Sequence, residues 1–551
     1  MACRPGYGRP VSAAEPLVTR PTTSAPSARS SVPAAAIGRW GTPAWVVMGA
    51  TMAFVAITCW WLTQDRSIPI YDAGDQLRTA LEYRDMLAGG NLLGPLTHPS
   101  LYPPLAHLVG ALAAFVGGVN VAAPIIGENV VFVSLLALGC YQTGRLLFGA
   151  QAGMLAALVA LGSPLVISLF HMFLLDGPLA ALVSVAVWLI LDSEDFSRPR
   201  VCALAGLAVG LGMDVKVQLA TFVVGLIAVA LLHGGWRNRR GFAIFTLVTL
   251  AVGLPWYLIH AGELGRLLEE ASGGYGLNAS RIPATLSIDN LTWYLWSVLN
   301  SQLFLPLFLL AAVGTVWTLA SVVRDRRAHA ARLEFMAAAF LAWLIITFVT
   351  PKHDIRYGAP LIAFVAVTAT GWIPRAPRAI RVPALALLAL GVCANTLAIS
   401  FGVGPEAIAK SSSLPGSEQV IAFSRQGFLV SAPSRDGDVI GLLKAIRREG
   451  VRTVAWSYGQ STGADFSYEG LYPLARIAGL TPAFTRELAF SSSASTVTLV
   501  HEPVTASAPP PCTRLSDGTG VWIVRYDAAA GRLALYCPTR RPRFYASGAV
   551  S

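Results

Sequence analysis

The arginines of this chain are confined to every second connection between its apolar segments. About eleven apolar segments fill residues 43–402, judged by length and hydropathy. The arginine-rich connections contain Arg198 and Arg200; Arg237, Arg239 and Arg240; Arg324, Arg326, Arg327 and Arg332; and Arg375, Arg378 and Arg381. Short loops rich in Lys and Arg stay in the cytoplasm. The pattern therefore predicts a polytopic α-helical membrane protein with about eleven spans, whose other loops lie outside the cytoplasm.

Composition supports a membrane protein and argues against a nucleic-acid-binding protein. The chain is 54% hydrophobic and 13% charged, whereas soluble domains carry about 25% charged residues. A charge at the centre of a span costs roughly 2.5–3.5 kcal/mol, so charges collect in the loops. The net charge of +11 therefore reports topology and suits anionic lipid headgroups. We expect no nucleic-acid partner, because much of the basic charge sits at span ends and not on a soluble patch.

Changes in composition divide the chain into three parts. Residues 1–38 are rich in Ala, Ser, Pro, Thr and Arg, and we expect them to be disordered and cytoplasmic. Residues 39–403 form the transmembrane domain, with outer loops 64–104 and 261–301. Residues 404–551 mix polar and apolar positions and are predicted to form an extracytoplasmic α/β domain. The location this implies is the cell membrane, crossed several times.

Residues 105–144 hold either one span or two. Two spans would move every later arginine-rich connection outside, whereas one span keeps them all in the cytoplasm. We therefore interpret 105–119 as an interfacial or re-entrant helix and 123–144 as the second span. The later spans are predicted at 152–171, 176–192, 201–214, 217–233, 242–260, 302–323, 334–350, 357–373 and 382–402.

The loops predicted to lie outside the cytoplasm contain a few isolated acidic residues. Asp72 and Asp75 lie in the first outer loop, with Asp75 at the start of an amphipathic helix over 74–88 that we expect on the membrane surface. Asp75 is either a helix cap or a general base or metal ligand. Asp176 lies between two apolar segments, where an ionisable group indicates a functional site, although a cap before Pro178 is the alternative.

Two kinds of binding group share this face. Asp75 and Asp176, with His171 and His98, could hold a divalent metal cation, although a histidine beside an apolar segment is more often structural. Lys216, Lys352 and Arg356 could pair with a phosphate headgroup. The alternative for these basic side chains is snorkelling to the interface, with pairing to Asp214 or Asp354.

A series of short motifs resembles one family in consistent order over residues 43–375. The motifs are Asp75-Gln76 followed by Arg84-Asp85-Met86-Leu87; Pro103-Pro104-Leu105; Arg145-Leu146-Leu147-Phe148-Gly149; Leu175-Asp176-Gly177-Pro178; Gly206 to Lys216; Pro255-Trp256-Tyr257; and Arg356-Tyr357. Together they resemble the GT-C class of membrane glycosyltransferases, in particular relatives of protein O-mannosyltransferases and of the lipid A aminoarabinose transferase.

The resemblance implies a GT-C-like fold and a polyprenyl-phosphate-linked sugar as donor. It makes Asp75 the catalytic acid, with Asp72 as an additional acid, and places a metal near Asp176. It implies inverting transfer to a glycan, lipid or protein acceptor. The family's usual Glu is replaced by Gln76, and Tyr102 occupies the place of a phosphate-contacting Lys. We count Tyr102, Lys216, Lys352 and Arg356 as the candidate donor phosphate-binding residues.

Two other classes of function remain open. A transporter of a lipid-linked or anionic solute would explain charges near the membrane interior, but it predicts repeated halves, and the sequence has no convincing repeat. A membrane-anchored binding or sensor protein would use residues 404–551 and would not need Asp75, Asp176 and Lys216. Loss of glycosylation on substitution of Asp75 distinguishes the enzyme from both alternatives.

The arginine pattern makes a topology prediction. Single cysteines placed at Arg200 and Arg378 should resist a membrane-impermeant thiol reagent in intact cells, whereas a cysteine at Leu92 in the first outer loop should react. Labelling before and after permeabilisation measures this. Reaction of both arginine-loop cysteines in intact cells would contradict the assigned orientation.

Overall fold

A computed structural model shows that the chain folds mainly into apolar α-helices. The structure describes residues 41–69, 71–265, 284–325, 329–349, 353–408, 421–425, 432–433, 440, 443–444, 447, 453–457, 468–485, 496–503, 519–527, 532–537 and 543–546. The chain divides into two units, Met1–Trp40 and Gly41–Ser551. The first unit contains the segment 1–38 that is predicted to be disordered, and it lies outside the described residues. The account below concerns the second unit.

Helices form almost all of the described chain up to residue 402. They are α1 (Thr42–Gln64), α2 (Tyr71–Ala88), α3 (Gly94–Thr97), α4 (Leu105–Gly117), α5 (Ala122–Glu128), α6 (Ser134–Phe148), α7 (Ala150–Leu161), α8 (Pro164–Phe170), α9 (Asp176–Asp192), α10 (Pro199–Met213), α11 (Leu219–Leu232), α12 (Arg239–Ile259), α13 (Ile288–Ser297), α14 (Phe304–Arg324), α15 (Ala330–Val349), α16 (Ile362–Gly371) and α17 (Arg378–Phe401). Two π-helical segments, Asn129–Val133 and Val298–Leu303, continue α5 into α6 and α13 into α14.

Several of these helices are long and apolar enough to cross a membrane. Among the described residues there are seven, or eight if the bent pair α7 and α8 counts as one span. The prediction of a multi-pass helical membrane protein is therefore confirmed at this level. Helix α4 has 13 residues, about 20 Å at 1.5 Å per residue, which is short of the ~30 Å hydrocarbon core. Residues 105–144 were interpreted as one short helix followed by one span. The bounds of α4 and of the 27-residue helix Ala122–Phe148 match that interpretation.

The predicted span 152–171 is broken. Helices α7 and α8 meet at an angle of 60° because Pro164 starts a new helix, with its missing N–H at the first turn. Ser163 caps α8, its Oγ accepting a hydrogen bond from the Val166 N–H at 3.4 Å. The break leads the chain into the turn that ends at Asp176.

Two predicted helix boundaries are wrong. Helix α2 begins at Tyr71, so Asp75 lies in its second turn and does not cap it. The predicted outer loop 261–301 contains helix α13, which continues through the π segment into the helix that ends at Arg324. The aromatic residues Trp293 and Tyr294 therefore belong to a helix, where Tyr294 is buried.

Helix α9 lies at the centre of the bundle. It packs against α6 and α10, and every residue from Asp176 to Val187 is buried. A helix that is apolar on every side is covered either by other helices or by lipid, and here the neighbouring helices cover it. This central position fixes where Asp176, at the start of α9, meets the rest of the protein.

Close helix contact depends on glycine at one position in particular. A Cβ added at Gly314 in α14 would come within 1.8 Å of the carbonyl oxygen of Thr368 in α16. Small residues let helix backbones approach closely in membrane bundles. Here the contact holds α14 against the helix that follows Arg356.

The described C-terminal residues form a six-stranded sheet. Its strands are β1 (Thr453–Ser457), β2 (Thr481–Thr485), β3 (Thr496–Pro503), β4 (Thr519–Asp527), β5 (Arg532–Cys537) and β6 (Arg543–Ala546). The strand order is β2-β1-β3-β4-β5-β6. β1 pairs in parallel with β2 and β3, and the remaining pairs are antiparallel. Helix α18 (Tyr468–Ile477) connects β1 to β2, as a parallel pair requires a crossover.

Helix α18 packs on α2. The guanidinium of Arg476 pairs with Glu82 at 3.6 Å and also with Asp85, and Arg78 lies 5.4 Å from the ring centre of Tyr472. Helix α2 therefore lies between α4 and α18. The amphipathic helix predicted here is present, and its apolar residues Leu77 and Leu81 are covered by protein.

The close contact of α14 and α16 predicts a specific loss of stability. Gly314→Ala should lower the thermal unfolding midpoint in detergent, since an added methyl in a packed contact costs about 1–3 kcal/mol. Gly49→Ala in α1 is the matched control, because its added Cβ meets nothing within 4 Å and alanine favours helix. Equal midpoints for the two variants would contradict this description of the packing.

Candidate functional site

A buried ion pair joins Asp176 to Lys216. The Lys216 Nζ lies 2.9 Å from Asp176 Oδ1, with side chains that are 13% and 4% exposed. Asp176 begins α9, and Lys216 lies in the turn between α10 and α11. An ion pair taken from water keeps its stability only when both partners are present. The predicted acid and the predicted phosphate-binding base therefore meet at one point.

Two tyrosines flank this pair. The Lys216 ammonium lies 5.7 Å from the ring centre of Tyr102 and 4.9 Å from that of Tyr357. Burial raises the pKa of Tyr102 to about 12, and the nearby Asp176 and Asp72 carboxylates add to the shift. The Tyr102 hydroxyl therefore stays protonated at neutral pH. It remains a hydrogen-bond donor close enough to Asp176 and Asp72 to interact with both carboxylates.

Arg356 connects helix α2 to the segment before α16. Its Nη1 lies 2.7 Å from Asp72 Oδ2 and its Nη2 lies 3.0 Å from Asp354 Oδ2. Arg356 also interacts electrostatically with Asp176. Burial acts to raise the pKa of Asp354, but the hydrogen bonds and charge of Arg356 outweigh it, so this pKa lies below its usual value. Asp354 therefore stays charged and orients the guanidinium.

Asp75 lies in helix α2, one turn after Asp72. Its Oδ1 accepts a hydrogen bond from Arg78 Nε at 3.1 Å, and its side chain is 34% exposed. Asp75 also acts on the Tyr102 hydroxyl electrostatically. Of the two candidate bases, Asp72 is held by Arg356 and Asp75 by Arg78, and both remain open to solvent.

Gln76, where the resemblance implies a Glu, turns away from these groups. It is buried, and its Oε1 lies 2.5 Å from His107 Nε2 in α4. An amide pairs with a neutral imidazole without adding a charge. The Gln76 side chain therefore serves the contact between α2 and α4.

The four predicted metal ligands do not share one place. His98 Nε2 lies 3.1 Å from Glu82 Oε2, whereas the His171 ring stacks on Trp61 at 4.4 Å. Within the described part of the chain, no three of Asp75, Asp176, His98 and His171 bring ligand atoms within 4.8 Å of one another. This arrangement does not fit a single ion held by that set, because carboxylate and imidazole ligands bind at about 2.0–2.6 Å.

Glu128 is a further acid at this site that the motifs do not include. It is fully buried at the end of α5, interacts electrostatically with Asp176, and neither carboxylate oxygen has a hydrogen-bond partner among the described residues. The signal was present in the sequence, since Glu128 is the sole acidic residue between 105 and 144, and intramembrane acids are costly.

Lys352, the remaining predicted phosphate contact, lies outside the described residues. The structure therefore brings together Asp72, Tyr102, Asp176, Lys216 and Arg356, and places Asp75 beside them. Acids, guanidinium, ammonium and phenol converge at one end of the helical bundle. Such a set can bind an anionic phosphate and accept a proton.

Comparison with known proteins agrees with this chemistry. A family model described as dolichyl-phosphate-mannose-protein mannosyltransferase matches residues 98–259. This stretch is less than a third of the chain and contains Tyr102, Asp176 and Lys216. Over these residues the chain is similar to that family, which confirms the resemblance to GT-C membrane glycosyltransferases predicted from the motifs. No curated protein sequence matches the chain significantly.

The solved structures similar to the chain include two of ArnT from Cupriavidus metallidurans. The crystal structure bound to undecaprenyl phosphate has 19% sequence identity and a TM-score of 0.47, and the match covers 65% of each chain. The apo structure has 18% identity and a TM-score of 0.43, with 64% of each chain covered. The chain therefore spans somewhat less than two thirds of the length of these proteins.

The ion pair predicts coupled effects on stability. Asp176→Asn and Lys216→Met should each lower the thermal unfolding midpoint strongly, since an uncompensated buried charge costs about 3–5 kcal/mol. The double variant should recover much of the loss, because no charge is then left alone. Asp85→Asn is the control, since this acid is 45% exposed and such pairs contribute at most about 1 kcal/mol. Strictly additive losses would contradict the coupling.

Proposed function

We propose that this protein is an integral membrane glycosyltransferase. It transfers a sugar from a polyprenyl-phosphate donor to an acceptor at the outer face of the membrane. The observation that carries the proposal is the convergence of Lys216 and Arg356 with Asp72, Asp75 and Asp176 in a bundle of apolar helices. The similarity of residues 98–259 to the mannosyltransferase family supports it.

The donor phosphate binds between Lys216 and Arg356 in this proposal. An ammonium has three N–H donors, and Asp176 takes one at 2.9 Å, so two remain for phosphate oxygens. The guanidinium of Arg356 is oriented by Asp354 and can exchange Asp72 for a phosphate, which it binds in bidentate geometry. The Tyr102 hydroxyl adds a neutral donor. Lys352 is a further predicted contact.

The reaction proceeds by a single displacement at the anomeric carbon. The acceptor hydroxyl oxygen forms the new bond to that carbon while the bond from the carbon to the phosphate oxygen breaks, which inverts the configuration. The acceptor proton passes to the carboxylate of Asp75, with Asp72 as the alternative base. The bonding electrons leave with polyprenyl phosphate, whose added negative charge Lys216 and Arg356 stabilise.

A divalent metal remains a separate prediction. The predicted ligands Asp75, Asp176, His98 and His171 do not converge, and no step above uses a metal. Transfer activity measured after chelation tests the prediction, with loss of activity and recovery on adding Mg²⁺ or Mn²⁺ as the expected result. Unchanged activity after chelation would overturn it.

The orientation and domain arrangement form part of the same proposal. The arginine pattern supports about eleven spans, a cytoplasmic N-terminus and an outer position for the site. Residues 404–551 are proposed as an extracytoplasmic α/β domain, supported by the mixed sheet and by the packing of α18 on α2. The acceptor is a glycan, a lipid or a protein of the cell envelope. Comparative glycan and lipid analysis of cells lacking the protein identifies which.

Substitution of the candidate base tests the activity. Asp75→Asn should lower the rate of sugar transfer by about 10²–10⁴-fold, since a positioned general base contributes that much, with little change in thermal stability. Asp72→Asn should have the smaller effect. Asp289→Asn, an exposed acid at the start of α13, is the matched control and should leave the rate unchanged.

The measurement is transfer of labelled sugar from polyprenyl-phosphate donors by the purified full-length protein. Full activity of Asp75→Asn with loss of activity in Asp72→Asn would reassign the base to Asp72. Full activity of both variants would contradict a carboxylate base in this loop and favour transport or binding.

A further inference from the structure

A line of charged side chains on α2 begins at the candidate base Asp75. Arg78 follows Asp75 by three positions and precedes Glu82 by four, so the three side chains lie along one face of the helix. Arg78 Nε donates to Asp75 Oδ1 at 3.1 Å, whereas Arg78 Nη1 lies 3.9 Å from Glu82 Oε1. The guanidinium is therefore shared by two carboxylates, and it holds Asp75 more closely.

Helix α18 brings a second arginine to the same line. Arg476 Nη1 lies 3.6 Å from Glu82 Oε1, the oxygen that Arg78 also faces, and Arg476 Nη2 pairs with Asp85. Both guanidiniums lie over the Tyr472 ring, Arg78 at 5.4 Å and Arg476 at 6.0 Å from its centre. Tyr472 and Arg476 are four positions apart in α18, so one face of this helix makes all of these contacts.

Glu82 keeps its negative charge in this setting. Burial acts to raise the pKa of Glu82, but the hydrogen bond of His98 and the charges of the two arginines outweigh it, so this pKa lies below its usual value. His98 Nε2 lies 3.1 Å from Glu82 Oε2, which leaves Oε1 to the arginines. The Glu82 side chain is 15% exposed, so its attractions are screened less than those of a surface charge.

The two arginines compete for one carboxylate oxygen. With Arg476 beside it, Glu82 attracts Arg78 less strongly, and Arg78 keeps its closer contact with Asp75. Without Arg476, the charge of Glu82 would draw the Arg78 guanidinium along the helix and away from Asp75. Asp75 would then lose the donor that holds its carboxylate, and a general base must stay within hydrogen-bond reach of the proton that it accepts.

We propose that Arg476 is a positioning residue of the transfer reaction, acting on Asp75 through Glu82 and Arg78. Helix α18 of the C-terminal sheet thereby contributes to catalysis without touching the reacting atoms. The inference rests on the proposed function, with Asp75 as the base. It gives the packing of α18 on α2 a catalytic consequence, because the charge that α18 brings to Glu82 keeps Arg78 on Asp75.

Sugar transfer by purified full-length variants, at varied concentrations of the polyprenyl-phosphate donor, tests the proposal. Arg476→Gln should lower kcat by about 2–30-fold, the usual range for a residue that acts through a network of contacts. The KM for the donor should not change, because Lys216 and Arg356 remain in place. Arg476→Lys keeps a positive charge beside Glu82 and should recover most of the rate.

The sharpest variant removes the competing carboxylate as well. Adding Glu82→Gln to Arg476→Gln should restore kcat, because Arg78 is then no longer drawn away from Asp75. If Arg476 served only to dock α18 on α2, loss of a second docking contact would not restore the rate. An unchanged kcat in Arg476→Gln, or a double variant no faster than Arg476→Gln, would therefore overturn the proposal.

Arg84 provides a matched control on α2. Arg78 and Arg84 are each 31% exposed and each pairs with an aspartate, but the partner of Arg84 is Asp85. Arg78→Gln should lower kcat at least as much as Arg476→Gln, and Arg84→Gln should leave it unchanged. If Arg476→Gln does not fold, this comparison decides: a lower kcat in Arg78→Gln alone supports the route, and equal rates in the two variants refute it.

The proposed function and this inference fail in different ways. Full activity of Asp75→Asn would mean that Asp75 is not the base. Loss of activity in Asp75→Asn together with full activity of Arg476→Gln would refute the positioning role alone.

Discussion

The arrangement of this protein depends on a charge pair placed where charges are most costly. Asp176 is almost completely buried at the start of the central helix and is compensated by Lys216 at 2.9 Å. Either residue alone would leave an unpaired charge among apolar helices. The pair therefore ties the turn before α9 to the turn between α10 and α11. It also keeps a positive group facing Tyr102 and Tyr357, where the proposed donor phosphate binds.

A second set of charges is built around Arg356. Its guanidinium pairs with Asp354 on one segment and with Asp72 on another, so helix α2 is joined to the segment before α16. The two basic residues do different work in the proposed reaction. Lys216 carries a compact charge on a flexible stem and can stay close to the phosphate as it leaves. The planar guanidinium of Arg356 fixes the orientation of that phosphate. Helix α18 completes the frame by holding α2 from the other side through Arg476.

Much of this could be predicted from the sequence, because membrane insertion restricts where charges occur. The pattern of arginines and apolar segments located most helices of the bundle, and isolated ionisable residues pointed to Asp72, Asp176, Lys216 and Arg356. Sequence alone could not predict pairings between distant segments, such as Arg356 with Asp72 across 284 positions. The sequence also led to the wrong start for helix α2, which was placed near Asp75. The polar residues before Asp75 resemble a loop in sequence, and only the packing of neighbouring helices against α2 shows that they are helical. His171 and His98 looked alike in sequence, yet one stacks on Trp61 and the other pairs with Glu82.

The most direct test of the central claim is a cryo-electron microscopy structure of the protein with polyprenyl phosphate bound. The account predicts that the phosphate lies within hydrogen-bond distance of both Lys216 and Arg356, with the prenyl chain running along the apolar helices. A phosphate bound at another place, with Lys216 and Arg356 still engaged only by their carboxylates, would contradict it.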